Sequence, residues 1–151
     1  MKRAVISAIL LTLFVGCSTV TPDAKRERFE AAMAKLRALD SVEGKWVGMP
    51  SGHGRFYVLS EQFLLYGSPT DYRAMLIETN AVVRVMALVC LAHTERSAFV
   101  DLVKPYSDDQ SKVVLFPHGC VGEETTVGGI VHSIETNRYF LGWVLKTSNE
   151  R

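Results

Sequence analysis

The sequence predicts a mainly α protein, with one compact helical domain that contains an αα-hairpin. Apolar residues recur at helical intervals in several segments, and capping residues stand directly before those segments. Only 22% of the residues are charged and 48% are hydrophobic, which argues against disorder. We therefore expect a single domain over residues 23–147 and a frayed tail at 148–151, with one short β-strand pair near the C-terminus as an alternative to a last helix.

The first predicted helix begins at Thr21-Pro22-Asp23. A threonine can cap a helix, proline suits its first position, and an acidic residue is favourable in its first turn. Apolar residues follow with helical spacing at Phe29, Met33, Leu36 and Leu39.

The segment from Val42 to Arg55 contains four glycines and is predicted as a loop, with Trp46 and Val47 turned inward. A second helix is predicted from Tyr57 to Tyr66, where Gly67 ends it.

The αα-hairpin is predicted over residues 68–93. Ser68 caps its first helix, Pro69 occupies the first helical position, and Glu78-Thr79-Asn80 forms a polar turn. The second helix spans Ala81 to Ala92. Its candidate core positions are Val82, Val85, Met86, Val89 and Cys90.

The turn and second helix, Asn80-Ala81-Val82-Val83-Arg84 followed by Ala87 and Leu91, resemble the second helix of HEAT-like repeats. A fainter echo, Leu102, Tyr106, Asp109 and Val113, trails Tyr72, Leu76, Asn80 and Val83 by 30, 30, 29 and 30 residues. Pro117 would stop a further helix, so the resemblance covers about one and a half repeats. It implies a compact domain with a HEAT-like hairpin, and such folds usually present binding surfaces.

The C-terminal part contains three further predicted elements. Residues 112–116 can form a short strand, because they are rich in β-branched residues and end at Pro117. Thr125 or Thr126 caps a helix with apolar positions at 127, 130, 131 and 134. Tyr139 to Lys146 is predicted as a closing helix, with a strand beside 112–116 as the alternative.

The first sixteen residues have the pattern of a signal peptide. Lys2 and Arg3 precede an uncharged apolar run from Ala4 to Val15. As a helix this run would be ~18 Å long, too short for a ~30 Å hydrocarbon core. Residues 1–16 are therefore predicted to be cleaved.

The segment Phe14-Val15-Gly16-Cys17-Ser18 resembles the lipobox of bacterial lipoproteins, with Phe14 where the family usually has leucine. The resemblance implies lipidation of Cys17 and a short tether over residues 17–22. Because Ser18 is not aspartate, it also implies the periplasmic face of the outer membrane. The alternative is an ordinary secretory peptide with a chance cysteine.

Two other cysteines, Cys90 and Cys120, are predicted to form a disulfide in an oxidising envelope; two buried thiols are the alternative. Together with His93 and His118 they would form a two-Cys, two-His zinc set, and Cys120 with His118 or His132 would suit thiol catalysis. Neither pattern is specific, so we predict no metal, no cofactor and no catalytic residue.

The charge balance excludes one class of partner. The signal peptide contains two of the 17 basic residues and none of the 16 acidic ones, so the mature protein has 15 basic and 16 acidic residues. It has no basic stripe for phosphate contacts, and nucleic acid is not expected to bind. We expect a non-enzymatic envelope lipoprotein that binds a protein or peptide. The alternatives are a small Cys/His hydrolase or zinc enzyme, and a purely structural outer-membrane lipoprotein.

Overall fold

Six α-helices and a three-stranded sheet form most of the part of the chain that the computed structural model describes, residues 21–47, 52–137 and 139–144. The predicted mainly α class is confirmed. The predicted signal peptide, Cys17 and the predicted tail at 148–151 lie outside these ranges. Within them, no helix combines the length and apolar character needed to cross a membrane.

The elements follow one another in this order. The helices are α1 (Pro22–Arg37), α2 (Arg55–Tyr66), α3 (Pro69–Met75), α4 (Ala81–Thr94), α5 (Arg96–Val103) and α6 (Val127–Thr136). A 3-10 turn at Lys104–Tyr106 follows α5. The strands are β1 (Ser41–Trp46), β2 (Lys112–His118), β3 (Glu123–Thr126), β4 (Tyr139–Phe140) and β5 (Trp143–Val144). In the sheet, β1 is parallel and β3 antiparallel to the central β2, and β4 and β5 form a separate antiparallel pair.

The predicted helix starts are confirmed by their caps. The Thr21 hydroxyl accepts a hydrogen bond from the backbone N–H of Ala24, and Asn80 accepts from Val82 and Val83. Ser68 and Asp71 form a reciprocal capping box, and Thr126 caps α6. These side chains satisfy N–H groups that the first turn leaves without partners.

Helix α4 lies at the centre of the core. Every residue from Val82 to Ala92 is buried, including Arg84, and α3 packs against α4 as the predicted hairpin. The echo of the hairpin does not form a second helix pair, because Asp109 lies in a turn and Val113 in β2.

The predicted loop at 42–55 is wrong in its first half, because residues 41–46 form a strand. Val42 is fully buried, and β1 pairs with β2 from Ser41 opposite Val114. A Cβ at Gly44 would lie 2.6 Å from the backbone oxygen of Pro117, so glycine permits the close pairing. Trp46, expected to turn inward, is 56% exposed.

The predicted closing helix at 139–146 is also wrong. Strands β4 and β5 are joined by Leu141 and Gly142, whose φ angles are 52° and 90°. Positive φ at both positions of a two-residue loop makes a tight hairpin turn. The alternative, a short strand pair near the C-terminus, is present, but its strands pair with each other and not with 112–116, because β2 pairs with β1 and β3. The strand at 112–116 itself is present and extends to His118.

Candidate functional site

The end of β1 and the start of α2 meet at two glycines. The Gly54 N–H donates to the Gly44 oxygen at 3.3 Å. A Cβ at Gly54 would lie 2.5 Å from the Glu43 Cβ and 2.5 Å from the Gly44 oxygen. Only a residue without a side chain fits at this distance, so Gly54 holds residues 43–46 against the first turn of α2.

Glu43 and Arg55 form an ion pair across this junction. The Glu43 carboxylate accepts hydrogen bonds from the backbone N–H of Arg55 and from its Nε and Nη2, the latter two at 3.2 and 2.9 Å. Helix α2 has glycine at its N-cap and no acidic residue in its first turn. Glu43, which lies in β1, therefore caps the helix through the backbone N–H of Arg55. The hydrogen bond and charge of Glu43 raise the pKa of Arg55, which therefore keeps its positive charge.

Arg55 remains open to solvent although it is paired. The Glu43 side chain is 11% exposed, whereas the Arg55 side chain is 66% exposed. The Arg55 Nη1 makes no hydrogen bond with any residue in the described ranges. One edge of the guanidinium is thus available to a ligand.

Trp46, His53 and Tyr57 form an aromatic platform beside this ion pair. The ring centroids of Trp46 and His53 are 5.3 Å apart, and those of His53 and Tyr57 are 5.7 Å apart. The Lys45 ammonium lies 5.2 Å from the Trp46 ring centroid and 5.7 Å from that of Tyr57. Burial, followed by the charge and hydrogen bond of Glu61, raises the pKa of Tyr57, so its phenol stays protonated.

His53 is fixed by a contact with the backbone of β1. Its Nδ1 lies 3.0 Å from the Lys45 oxygen. A carbonyl oxygen can only accept, so Nδ1 carries the proton when the two are hydrogen-bonded, and Nε2 of the neutral ring is then an acceptor. In the platform, Trp46 and His53 are exposed and Tyr57 is buried, and the Lys45 ammonium lies over the Trp46 and Tyr57 rings.

Two surface pockets meet at Arg55, and we call them together the Arg55 groove. The first pocket, of about 350 Å³, lies between α1 and α2. The second, of about 460 Å³, lies on the face of the sheet where Glu43 stands opposite Phe116. Besides Arg55, the first is lined by Lys35, Leu39, His53, Val58, Leu59 and Gln62, and the second by Asp40, Ser41, Glu43, Val114 and Phe116.

The two pockets differ in charge. The first has two cations, Lys35 and Arg55, and no carboxylate. The second has Asp40 and Glu43 beside the shared Arg55. The groove is thus more positive between α1 and α2 and more negative over the sheet, while both pockets contain apolar side chains.

The chain matches no protein-family model, and no curated protein matches it either. The function is therefore inferred from the Arg55 groove and the aromatic platform.

Cys90 and Cys120 do not form the predicted disulfide in this structure. Both thiols are free; Cys90 is buried in α4 and Cys120 is exposed in the turn after β2. The alternative of two buried thiols is not seen either, because only Cys90 is buried. Burial raises the pKa of Cys90, so its thiol stays protonated and unreactive.

The zinc set and the thiol–histidine pairs are not assembled either. Among the described residues, no three His, Cys, Asp or Glu side chains are placed to hold a metal ion. No hydrogen bond in that part of the chain joins Cys120 to His118 or to His132 on α6. These residues therefore give no chemical site in the arrangement the structure shows.

The sequence prediction missed the residues of the groove and platform. The period-2 pattern of Val42, Gly44 and Trp46 was a signal for β1, but the glycines around it favoured a loop. Nothing local indicates that Glu43 caps a helix twelve residues later.

Proposed function

We propose that the protein is a lipid-anchored envelope protein that binds a peptide segment of a partner protein in the Arg55 groove and catalyses no reaction. The observation that carries this proposal is the exposed Trp46, whose ring packs on His53, a residue that lines the first pocket of the groove. Aromatic residues beside such pockets are typical anchors of protein interfaces.

The packing around Trp46 supports a binding role. Its ring is in contact with His53 and Lys45, so fewer rotamers are lost when a partner covers it. Covering a tryptophan removes a large apolar area from water, and its indole N–H can still donate a hydrogen bond. An exposed indole that already contacts two neighbouring side chains therefore favours binding at a lower entropic cost.

The position of the groove supports a partner in the aqueous envelope. Helices α1 and α2 are antiparallel, since Arg28 bonds Tyr66 near one end and Lys35 lies beside Val58 near the other. If Cys17 is lipidated, residues 18–21 allow a reach of about 17 Å before α1. The 16 residues of α1 add about 24 Å. If Cys17 is lipidated, the groove therefore lies at the end of α1 that is farther along the chain from the lipid.

Site-specific photocrosslinking tests this function. A photoreactive residue at Val58, which lines the groove, is compared in native cells with one at Val100, which is exposed on α5. We expect a discrete crosslinked partner from position 58 only, with a yield that falls when Trp46→Ala is added. The same products from both positions, or none from position 58, would contradict the proposal; none from either position would favour a purely structural lipoprotein.

A further inference from the structure

We infer that the first pocket of the Arg55 groove takes the C-terminal residue of the bound peptide, with its free carboxylate at Lys35 and Arg55 and its apolar side chain on the aliphatic part of the pocket. This inference rests on the proposed peptide-binding function and names the part of the peptide that the site recognises.

The cations of the first pocket have donors that can bind a carboxylate, although Arg55 is also paired with Glu43. Lys35 makes no ion pair with any residue in the described ranges, and Arg55 has its Nη1 available. A carboxylate accepts strong charge-assisted hydrogen bonds from both kinds of donor. No acidic residue lines this pocket, and the nearest carboxylates, Glu43 and Asp40, lie on the other side of Arg55 in the second pocket.

The first pocket also has an aliphatic part. Leu39, Val58 and Leu59 line it, and the volume of about 350 Å³ falls in the range of ~300–1,000 Å³ typical of ligand pockets. A C-terminal residue carries its carboxylate and its side chain on the same Cα. It can therefore place a charge at the cations and an apolar group on the aliphatic part of one pocket, whereas an internal Asp or Glu offers the charge alone.

The second pocket sets the direction of the peptide. Asp40 and Glu43 lie there beside Arg55 and would repel a terminal carboxylate. The preceding residues of the peptide, which carry no terminal charge, can cross Arg55 and lie over Val114 and Phe116. The peptide thus runs with its C-terminus between α1 and α2.

Paired peptides test the inference on the full-length protein in detergent. The probes are dye-labelled pentapeptides ending in Ala-Val, Ala-Leu or Ala-Phe, each made with a free carboxylate and with a carboxamide, and fluorescence anisotropy gives the Kd. For at least one ending we expect the acid to bind tenfold or more tightly than the amide, because the amide loses the charge-assisted contacts. The affinity of the acid should fall as salt is added.

Three variants locate the effect. Lys35→Gln should weaken binding of the acid peptide by about fivefold or more and leave the amide unchanged. Lys25→Gln is the matched control on the same helix, ten residues and about 15 Å away, and should bind like the wild type. Asp40→Asn removes an exposed charge 4.0 Å from Arg55 and should tighten binding of the acid about twofold.

Equal affinities for acid and amide would overturn the inference and leave peptide binding in place. The inference is also wrong if no peptide binds while position 58 still gives a specific crosslink, because the partner would then be recognised without a free C-terminus. Equal losses in Lys35→Gln and Lys25→Gln would show a general charge effect and would likewise overturn it.

Discussion

Arg84 and Arg55 each pair with a carboxylate, but the Arg84 side chain is buried and the Arg55 side chain is exposed. Arg84 is 9% exposed; its Nε bonds Asp109 at 3.0 Å, and its Nη1 bonds the backbone oxygens of Glu78 and Thr79 at 2.6 and 2.9 Å. Arg55 is 66% exposed while its partner Glu43 is buried. Arg84 uses its N–H donors for hydrogen bonds within the protein. Arg55 has one guanidinium nitrogen, Nη1, that remains available to a ligand.

This difference separates a structural ion pair from one suited to binding. The Arg84 pair joins the α3–α4 turn to the turn before β2, and Arg84 lines neither pocket of the groove. The Arg55 pair stabilises the start of α2 and at the same time divides the two pockets of the groove. We therefore expect substitutions at the first to act on folding and those around the second to act on binding as well.

Arg84→Met should cause the largest loss of stability. It leaves Asp109 without its cation and two backbone oxygens without a donor, which should cost about 3 kcal/mol in the free energy of unfolding. Arg37→Met is the matched control, since the Arg37 pair with Glu78 is at the surface and should contribute less than about 1 kcal/mol. Urea denaturation measures both; similar midpoints for the two variants would show that the Arg84 network is not needed for stability.

Gly54→Ala should have a smaller effect on stability and an additional effect on binding. The new methyl group meets the Glu43 Cβ and the Gly44 oxygen at 2.5 Å, and relieving such overpacking should cost about 2 kcal/mol. Because β1 must move away from α2, Glu43 and Arg55 should separate and peptide affinity should fall in the folded protein.

The control for that change is Gly129→Ala in α6, where the nearest atom is the Thr125 hydroxyl at 2.9 Å, a side chain that can move. Alanine also has the higher helix propensity, by up to about 1 kcal/mol, so stability should change little. A Gly54→Ala protein as stable as Gly129→Ala, with wild-type binding, would show that the close contact at Gly54 does not shape the groove.

The α3–α4 hairpin around Arg84 and the Arg55 groove also differ in how much of their structure can be predicted from the sequence. The hairpin side depends on local signals: Ser68 and Asn80 cap helices whose apolar residues follow within a few positions. The groove depends on contacts between residues that are far apart in the sequence. Strand β1 pairs with β2 about 70 residues later, and Glu43 caps α2 across a glycine contact. Local propensity favoured a loop there, and tertiary packing decided otherwise.

The prediction of a helix in the C-terminal segment is wrong for a related reason. Phe140, Trp143 and Val144 have a spacing that suits a helix and does not exclude a strand. Gly142, with φ 90°, and the bond from the Lys45 N–H to the Leu141 oxygen favour a hairpin against β1. A glycine within an apolar run was the available signal, and its partner strand was not predicted.

The pH dependence of unfolding should give the smallest effect and the most specific test of the Arg84 region. Burial by itself raises the pKa of Asp109, but hydrogen bonds from Ser111 and the charge of Arg84 outweigh it, so the pKa lies below its ordinary value of 3.8. A lowered native pKa means that the unfolded chain binds the proton first as the pH falls. The stabilisation is therefore complete above the ordinary value and is lost as the pH decreases through it towards the native one.

Asp109→Asn removes this titration, so its difference in unfolding free energy from the wild type should shrink between pH 7 and pH 3, measured by urea denaturation at each pH. Asp108→Asn, at an exposed neighbouring residue, should keep the pH dependence of the wild type. If the difference in unfolding free energy between Asp109→Asn and the wild type stayed constant over that range, the Asp109 carboxylate would not be stabilised by Arg84. The comparison of a buried ion pair with an exposed one would then depend on Arg55 alone.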